Sequence, residues 1–175
     1  MTSILKVSEI QDPTNSNTAL TIDSTGFTNI SNHVVNYAVV ENGILSTQTI
    51  TATSFTDITG TTISYTPKAS GNTIIVNFVG NFRSYAPSGQ DVLCYFQAVI
   101  AGSGGPQYKI QGDNLGKLGD VIYFPGFFSI TEEYTATGTS AVTFKLTAKA
   151  GTGGQNVNFD SSGTKHTITV MEIAQ

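Results

Sequence analysis

Two histidines, one cysteine, one adjacent glutamate pair and one Asp/Asn-bearing loop are the residues of this chain whose types invite chemistry. His33 and His166 stand far apart, each next to or at the start of an expected strand, and no Ser-His-Asp arrangement can be built on them. Both are read as structural or solvent-exposed. Cys94 falls between Val92 and Phe96 on the inward face of an alternating segment, the setting of a buried inert thiol. A nucleophilic thiolate needs an electropositive, accessible site instead. Glu132 and Glu133 are adjacent, so on one strand they point to opposite faces and are read as a solvated strand end. They cannot converge at the roughly 5–9.5 Å that paired carboxylates need for glycoside hydrolysis.

The loop Gly112 to Gly119, with Asp113, Asn114 and the following Asp120, offers oxygen ligands of the kind Ca²⁺ takes. The D-x-[DN]-x-[DN]-G spacing is absent, however, and no metal or other cofactor is assigned. Gly102–Gly105 and Gly151–Gly154 carry no following Lys-Ser/Thr and open no helix, so they are not phosphate cradles. Tyr85, Tyr108 and Tyr134 near strand ends would suit a glycan site. In a β-sheet protein without Trp, however, tyrosines are expected as core and interface residues. With no acid–base pair, no enzyme is expected.

Composition says what must position these groups. The 175 residues are 39% apolar but only 11% charged, less than half the usual quarter. Thr (26), Ser (16) and Asn (12) take the place of the missing charges, a composition that suits sheet rather than helix. Seven Lys and one Arg cannot line a phosphate backbone, which argues against nucleic-acid binding. No apolar run reaches the length of a membrane-spanning helix, and Met1 to Ile10 does not read as a signal peptide. A single cysteine excludes an intrachain disulfide.

Period-2 alternation recurs from about residue 34 onward. Asn72 to Ser84 places Ile74, Val76, Phe78, Gly80 and Phe82 on one face. Ala141 to Lys149 places Val142, Phe144, Leu146 and Ala148 inside, with Thr143, Lys145, Thr147 and Lys149 outside. Further strands are expected at Val34–Glu41, Ser46–Thr53, Thr61–Thr66, Val92–Ala101, Gln107–Gln111, Val121–Ile130, Val157–Phe159 and Lys165–Ala174. Turn residues separate them, as in Pro67-Lys-Ala-Ser-Gly71 and Gly102-Ser-Gly-Gly-Pro106. Roughly eight to ten short strands so spaced read as a sandwich or jelly roll.

Two segments are apolar on both faces. Val121 to Ile130 has Tyr123 and Phe127 on one side and Phe124, Phe128 and Ile130 on the other. Asp91 to Ala101 adds Leu93, Tyr95 and Val99 opposite its inward set. A sheet with one wet side lacks this pattern, so either a loop or a second subunit covers the outer face. The last strand, with Val170, Met171 and Ile173, is two-sided as well. The interface expected from these segments comprises Tyr95, Tyr123, Phe127, Met171 and Ile173, gathered about a threefold axis.

Residues 1–33 differ in kind. Ile4, Leu5, Val7 and Ile10 form one short apolar cluster, and Leu20 and Ile22, with Ala19, another. The arm is too short to bury them and is expected to be extended and ordered by binding something else.

The opening ILKVSEIQDPTNSNTALTIDSTG (Ile4–Gly26) resembles the N-terminal segment of structural proteins of marine tailed bacteriophages, cyanophages especially. The stretch from Thr53 to Phe82 is similar to the first half of the C1q/TNF-like jelly-roll modules that end such proteins. Thr167 to Ala174 is similar to their last strand. The resemblance implies an all-β chain: an extended arm (1–33) followed by a jelly-roll knob (34–175), assembled as a homotrimer. It implies a virion-surface protein made in the host cytoplasm. Ile4, Leu5, Val7, Ile10, Leu20 and Ile22 would anchor it to other capsid or tail proteins. No shaft separates arm from knob, which favours a capsid decoration or short fibre. The alternative is a fibre tip that binds a host surface glycan.

Overall fold

The computed structural model describes residues 9–11, 18–22, 28–29, 34–42, 47–87, 90–112, 122–159 and 166–175. The arm strands are β1 (Glu9–Gln11), β2 (Thr18–Ile22) and β3 (Thr28–Asn29). Then come β4 (Val34–Asn42), β5 (Gln48–Ile50), β6 (Thr56–Tyr65), β7 (Thr73–Ala86) and β8 (Val92–Ile100). The rest are β9 (Ser103–Gly112), β10 (Ile122–Thr135), β11 (Val142–Ala150), β12 (Asn156–Phe159) and β13 (His166–Ile173). Every described element is a strand and every pairing is antiparallel.

The pairings define a jelly roll. β10 runs along one edge of β7 for its whole length, from Ala86 opposite Ile122 to Thr73 opposite Thr135. The other edge of β7 is shared end to end, by β13 over Thr73–Val79 and by β12 over Arg83–Tyr85. β4 flanks β13, and β5 flanks β12. The first sheet thus reads β4, β13, β7, β10 across, and the second reads β6, β11, β8, β9. With the short β5 and β12 as additions to the first sheet, the eight longer strands form two facing four-stranded sheets. The chain crosses between them at each step except the β8–β9 hairpin, which is the strand order of a jelly roll.

The core lies between the sheets. Ile74, Val76, Phe78 and Phe82 of β7 face Cys94, Phe96 and Ala98 of β8 and Phe144, Leu146 and Ala148 of β11, all buried. Phe96 is the hub, with ring centroids 5.0 Å from Phe82, 4.9 Å from Phe128 and 6.3 Å from Phe159. These are tilted or edge-on geometries, which aromatic quadrupoles favour.

Three strands depart from their expected form for local reasons. β6 starts at Thr56 rather than Thr61 because a bulge interrupts its alternation: Thr62 opposes Lys145, while Asp57 opposes Thr147. Gly60 takes φ +84° there, and Thr61 stitches the bulge by donating to the Ile58 carbonyl at 2.8 Å. Thr147, expected outside, is buried at that bulge and donates to the Gln97 carbonyl at 2.8 Å. β9 starts at Ser103 rather than Gln107. Its Gly104 lies beneath the Gln97 side chain, which donates to the Gly105 carbonyl at 2.7 Å. Pro106 is tolerated because β9 is an edge strand.

The arm residues that are described pair among themselves. β1, β2 and β3 form a small antiparallel sheet in which Ile10 lies opposite Leu20 and Ile22 opposite Thr28. Local pairing therefore meets part of the backbone demand expected to fall on a partner. Ile4, Leu5 and Val7 lie outside the described residues.

Candidate functional site

Alternation along four strands gives the first sheet an outer face whose rows can be read from the register. One row runs Tyr37, Met171, Ile75, Glu133, and the next runs Val39, Thr169, Asn77, Thr131. Phe127 sits opposite Asn81 further along. Among the described residues the exposed large hydrophobics are Val34 (45%), Tyr37 (58%), Val39 (41%) and Phe127 (61%). All four belong to this one face. Met171, Ile173, Ile75 and Val79, on the same face, are half-buried. Asn77 is committed to its neighbours, donating to the Thr131 hydroxyl at 2.7 Å.

The expected interface residues are thus partly brought together. Phe127, Met171 and Ile173 share this outer face; Tyr123 lies on β10 opposite Tyr85, with its side chain outside the described residues. Tyr95 is not with them. It projects from β8 on the outside of the second sheet, where its own chain covers it: Lys149 Nζ sits 4.8 Å from the Tyr95 ring and 4.6 Å from that of Phe55. Leu93, beside it, lies under Gly151. Lys149 of β11, Phe55 and Gly151 thus pack on the Leu93 and Tyr95 part of the second apolar face of β8. Among the described residues nothing covers Phe127, which is 61% exposed. Val34, Tyr37 and Val39 complete the face, which the β4 segment, alternating like an ordinary strand, does not announce. Its odd-numbered positions, Tyr37 and Val39, were the available signal.

The residues considered for chemistry have structural duties. Cys94 is buried and its thiol is pushed up to about 12 by burial, which leaves it inert at neutral pH. His166 is 1% exposed between the rings of Phe128 and Phe159, at 5.6 and 5.7 Å. Neither ring nitrogen closes a hydrogen bond among the described residues. Burial lowers its pKa, with a backbone group of Asn81 offsetting part of the effect. His33 lies outside the described residues, as do Asp113, Asn114 and Asp120.

The glutamate pair does divide between two faces, but only Glu133 is solvated. Glu132 accepts a 2.6 Å hydrogen bond from the Tyr108 hydroxyl, joining β9 to β10 where the two sheets meet. That bond, more than burial, raises the Tyr108 pKa. Among the described residues no three of His, Cys, Asp and Glu gather as metal ligands. No described helix is long and apolar enough to cross a membrane.

No family model matches the chain, and no curated protein does. Among solved structures, the infectious bursal disease virus particle of the Gx strain is similar at a TM-score of 0.32 and 12% identity, over 79% of this chain and 32% of that one. A T13 particle of the same virus gives 0.26 and 11% over 98% and 40%. The chain spans well under half of either protein, and likenesses this loose transfer neither assembly nor activity.

Proposed function

We propose that the chain is a non-enzymatic structural protein of a virion, a trimeric capsid decoration or short-fibre knob. Residues 34–175 would form the knob and residues 1–33 the arm that holds it to the particle. The observation that carries the assembly is the gathering of Val34, Tyr37, Val39 and Phe127 on one sheet face. A monomer with few surface charges has little else to keep such a face from associating. Cyclic association covers the face in every copy at once and leaves none free. The particle context is supported by the resemblance of Ile4–Gly26 and Thr53–Phe82 to phage structural proteins.

Two measurements test this reading. Sedimentation equilibrium of the full chain at micromolar concentration should give three times 18.4 kDa. A stable monomer rejects the assembly. Antibody labelling of intact particles should place the protein at regular surface positions on head or tail, and particles that carry none would reject the virion role.

A further inference from the structure

A cavity of about 800 Å³ opens on the outer surface of the second sheet, on the opposite side of the sandwich from the apolar face. Its floor is the row Thr62, Lys145, Val99 across β6, β11 and β8. The β8–β9 turn and the loop between β10 and β11, from Thr137 to Ala141, wall it. Its volume lies within the roughly 300–1,000 Å³ of small-ligand sites.

The lining restricts what fits. Lys145 Nζ lies 2.8 Å from an Asp57 oxygen, so the two charges cancel while the Asp57 side chain stays 61% exposed. Thr62, Thr143, Ser140 and Thr137 add hydroxyls, and Tyr134 adds an aromatic ring. That ring is fixed edge-on against Phe144 at 6.1 Å, with its hydroxyl 3.4 Å from Thr137 Oγ1. An anionic ligand would find one cation already neutralised. A divalent metal would find a single carboxylate. A purely apolar ligand would strip the hydroxyls of water without replacing it.

The turn adds an independent sign. Ala101 and Gly102 both have positive φ, +50° and +83°, in a two-residue hairpin loop closed by Ile100 opposite Ser103. That geometry favours Asn or Asp at the first position. Alanine there is strained, yet it keeps the rim of the cavity small and apolar.

We infer that this cavity is a binding site for an uncharged, hydroxyl-rich ligand, a neutral sugar residue. Asp57 and Lys145 supply the charged acceptor and donor, Tyr134 the apolar contact, and Ala101 the space. The inference stands apart from the assembly reading, because the cavity opens on the outside of the second sheet and takes from the first only Tyr134, at the end of β10.

The test is saturation-transfer NMR on the full chain with glucose, galactose, mannose and N-acetylglucosamine, and with inorganic phosphate as an anionic competitor. At least one sugar should give transfer that phosphate does not displace. Asp57→Ala should weaken it about tenfold or more, as expected for losing one charged partner. Ala101→Asn should also weaken binding while raising the melting temperature, because it relieves the turn and fills the rim. Circular dichroism establishes that both variants fold. Transfer from none of the four sugars, displacement by phosphate, or transfer unchanged in both variants would overturn the inference.

Discussion

The Tyr65 hydroxyl donates a 2.6 Å hydrogen bond to Glu172 Oε2, across the interior from the second sheet to the first. Glu172 is fully buried in the last strand. Its other oxygen accepts from the Lys68 backbone N–H at 2.8 Å and from Asn72 Nδ2 at 2.7 Å. One carboxylate thereby joins β6, the turn after it and β13. At the far edge of the sandwich Tyr108 and Glu132 make a similar bridge between sheets. Taking a donor away from a buried carboxylate leaves its desolvation uncompensated and is strongly destabilising.

Tyr65→Phe should therefore cost about 1.5–3 kcal/mol, the range for a hydrogen bond to a charged group. Glu172→Leu should cost more, because it strands three buried or half-buried donors. Urea denaturation of both variants measures this. Burial, reinforced by Glu172, also raises the Tyr65 pKa above its ordinary value. The contribution is full below the unfolded value of 10.0 and is lost as pH rises beyond it. Absorbance titration should show Tyr65 and Tyr108 ionising late, and Glu172→Leu should bring only Tyr65 earlier.

The core histidine should make the fold acid-sensitive. His166 is held neutral by burial, so its folded pKa lies below the unfolded 6.5. Above that pH neither state binds the proton. Below it the unfolded chain takes up a proton that the folded chain resists, so stability falls as pH drops. The melting temperature should decline between pH 7.5 and 5.5, and His166→Leu should flatten that slope. An unchanged slope would assign the acid sensitivity to other groups.

Gly80 lets that ring fit. A Cβ on Gly80 would come within 2.2 Å of His166 Cδ2 and 2.7 Å of the Phe128 ring. Gly80→Ala should destabilise by about 1–3 kcal/mol or more, the usual cost of overfilling a packed core. Thermal melting measures it. Gly80→Ala combined with His166→Ala should recover part of the loss.

Much of this architecture was legible because period-2 alternation needs no knowledge of partners. β7 and β11 show their inward residues directly in the sequence, and turn residues divide the remaining strands. What could not be read were features in which a distant residue changes the local rule. The bulge at Gly60 depends on Thr61 bonding to Leu146 across the pairing, with the hydroxyl 3.1 Å from its carbonyl. Tyr95 reads in the sequence as a bare apolar position, and only the fold shows Lys149 between its ring and that of Phe55. Glu172, by contrast, is legible in the sequence as an inward position. It shares parity with Ile168, Val170 and Ala174, which placed a carboxylate inside and called for buried donors.

The apolar face predicts its own mutants. Tyr37 is 58% exposed and faces Met171 across the β4–β13 pairing, so a charge there should cost the folded subunit little. If the chain trimerises through this face as proposed, Tyr37→Lys together with Val39→Lys should dissociate it, because each copy would bury unpaired ammonium groups. Sedimentation should shift from trimer to monomer with the circular dichroism spectrum unchanged. A variant that remains trimeric would place the interface elsewhere.

The arm is the last element to test. Its strands are short, three, five and two residues, and so small a sheet is marginal in water by itself. Ile10 and Leu20 lie opposite each other in its register, within the clusters proposed to dock. Burying an aliphatic side chain is worth about 1.5–3 kcal/mol, against an ordering cost of roughly 1–2 kcal/mol per residue. Strands already paired have met part of that cost before contact, and three arms on one knob would raise the effective concentration of each. Removing residues 1–30 spares every strand of both larger sheets, the first of which begins at Val34. The truncated chain should fold and trimerise yet fail to join the virion. Decoration of particles at full occupancy by the truncated chain would show that the anchor lies in the knob instead.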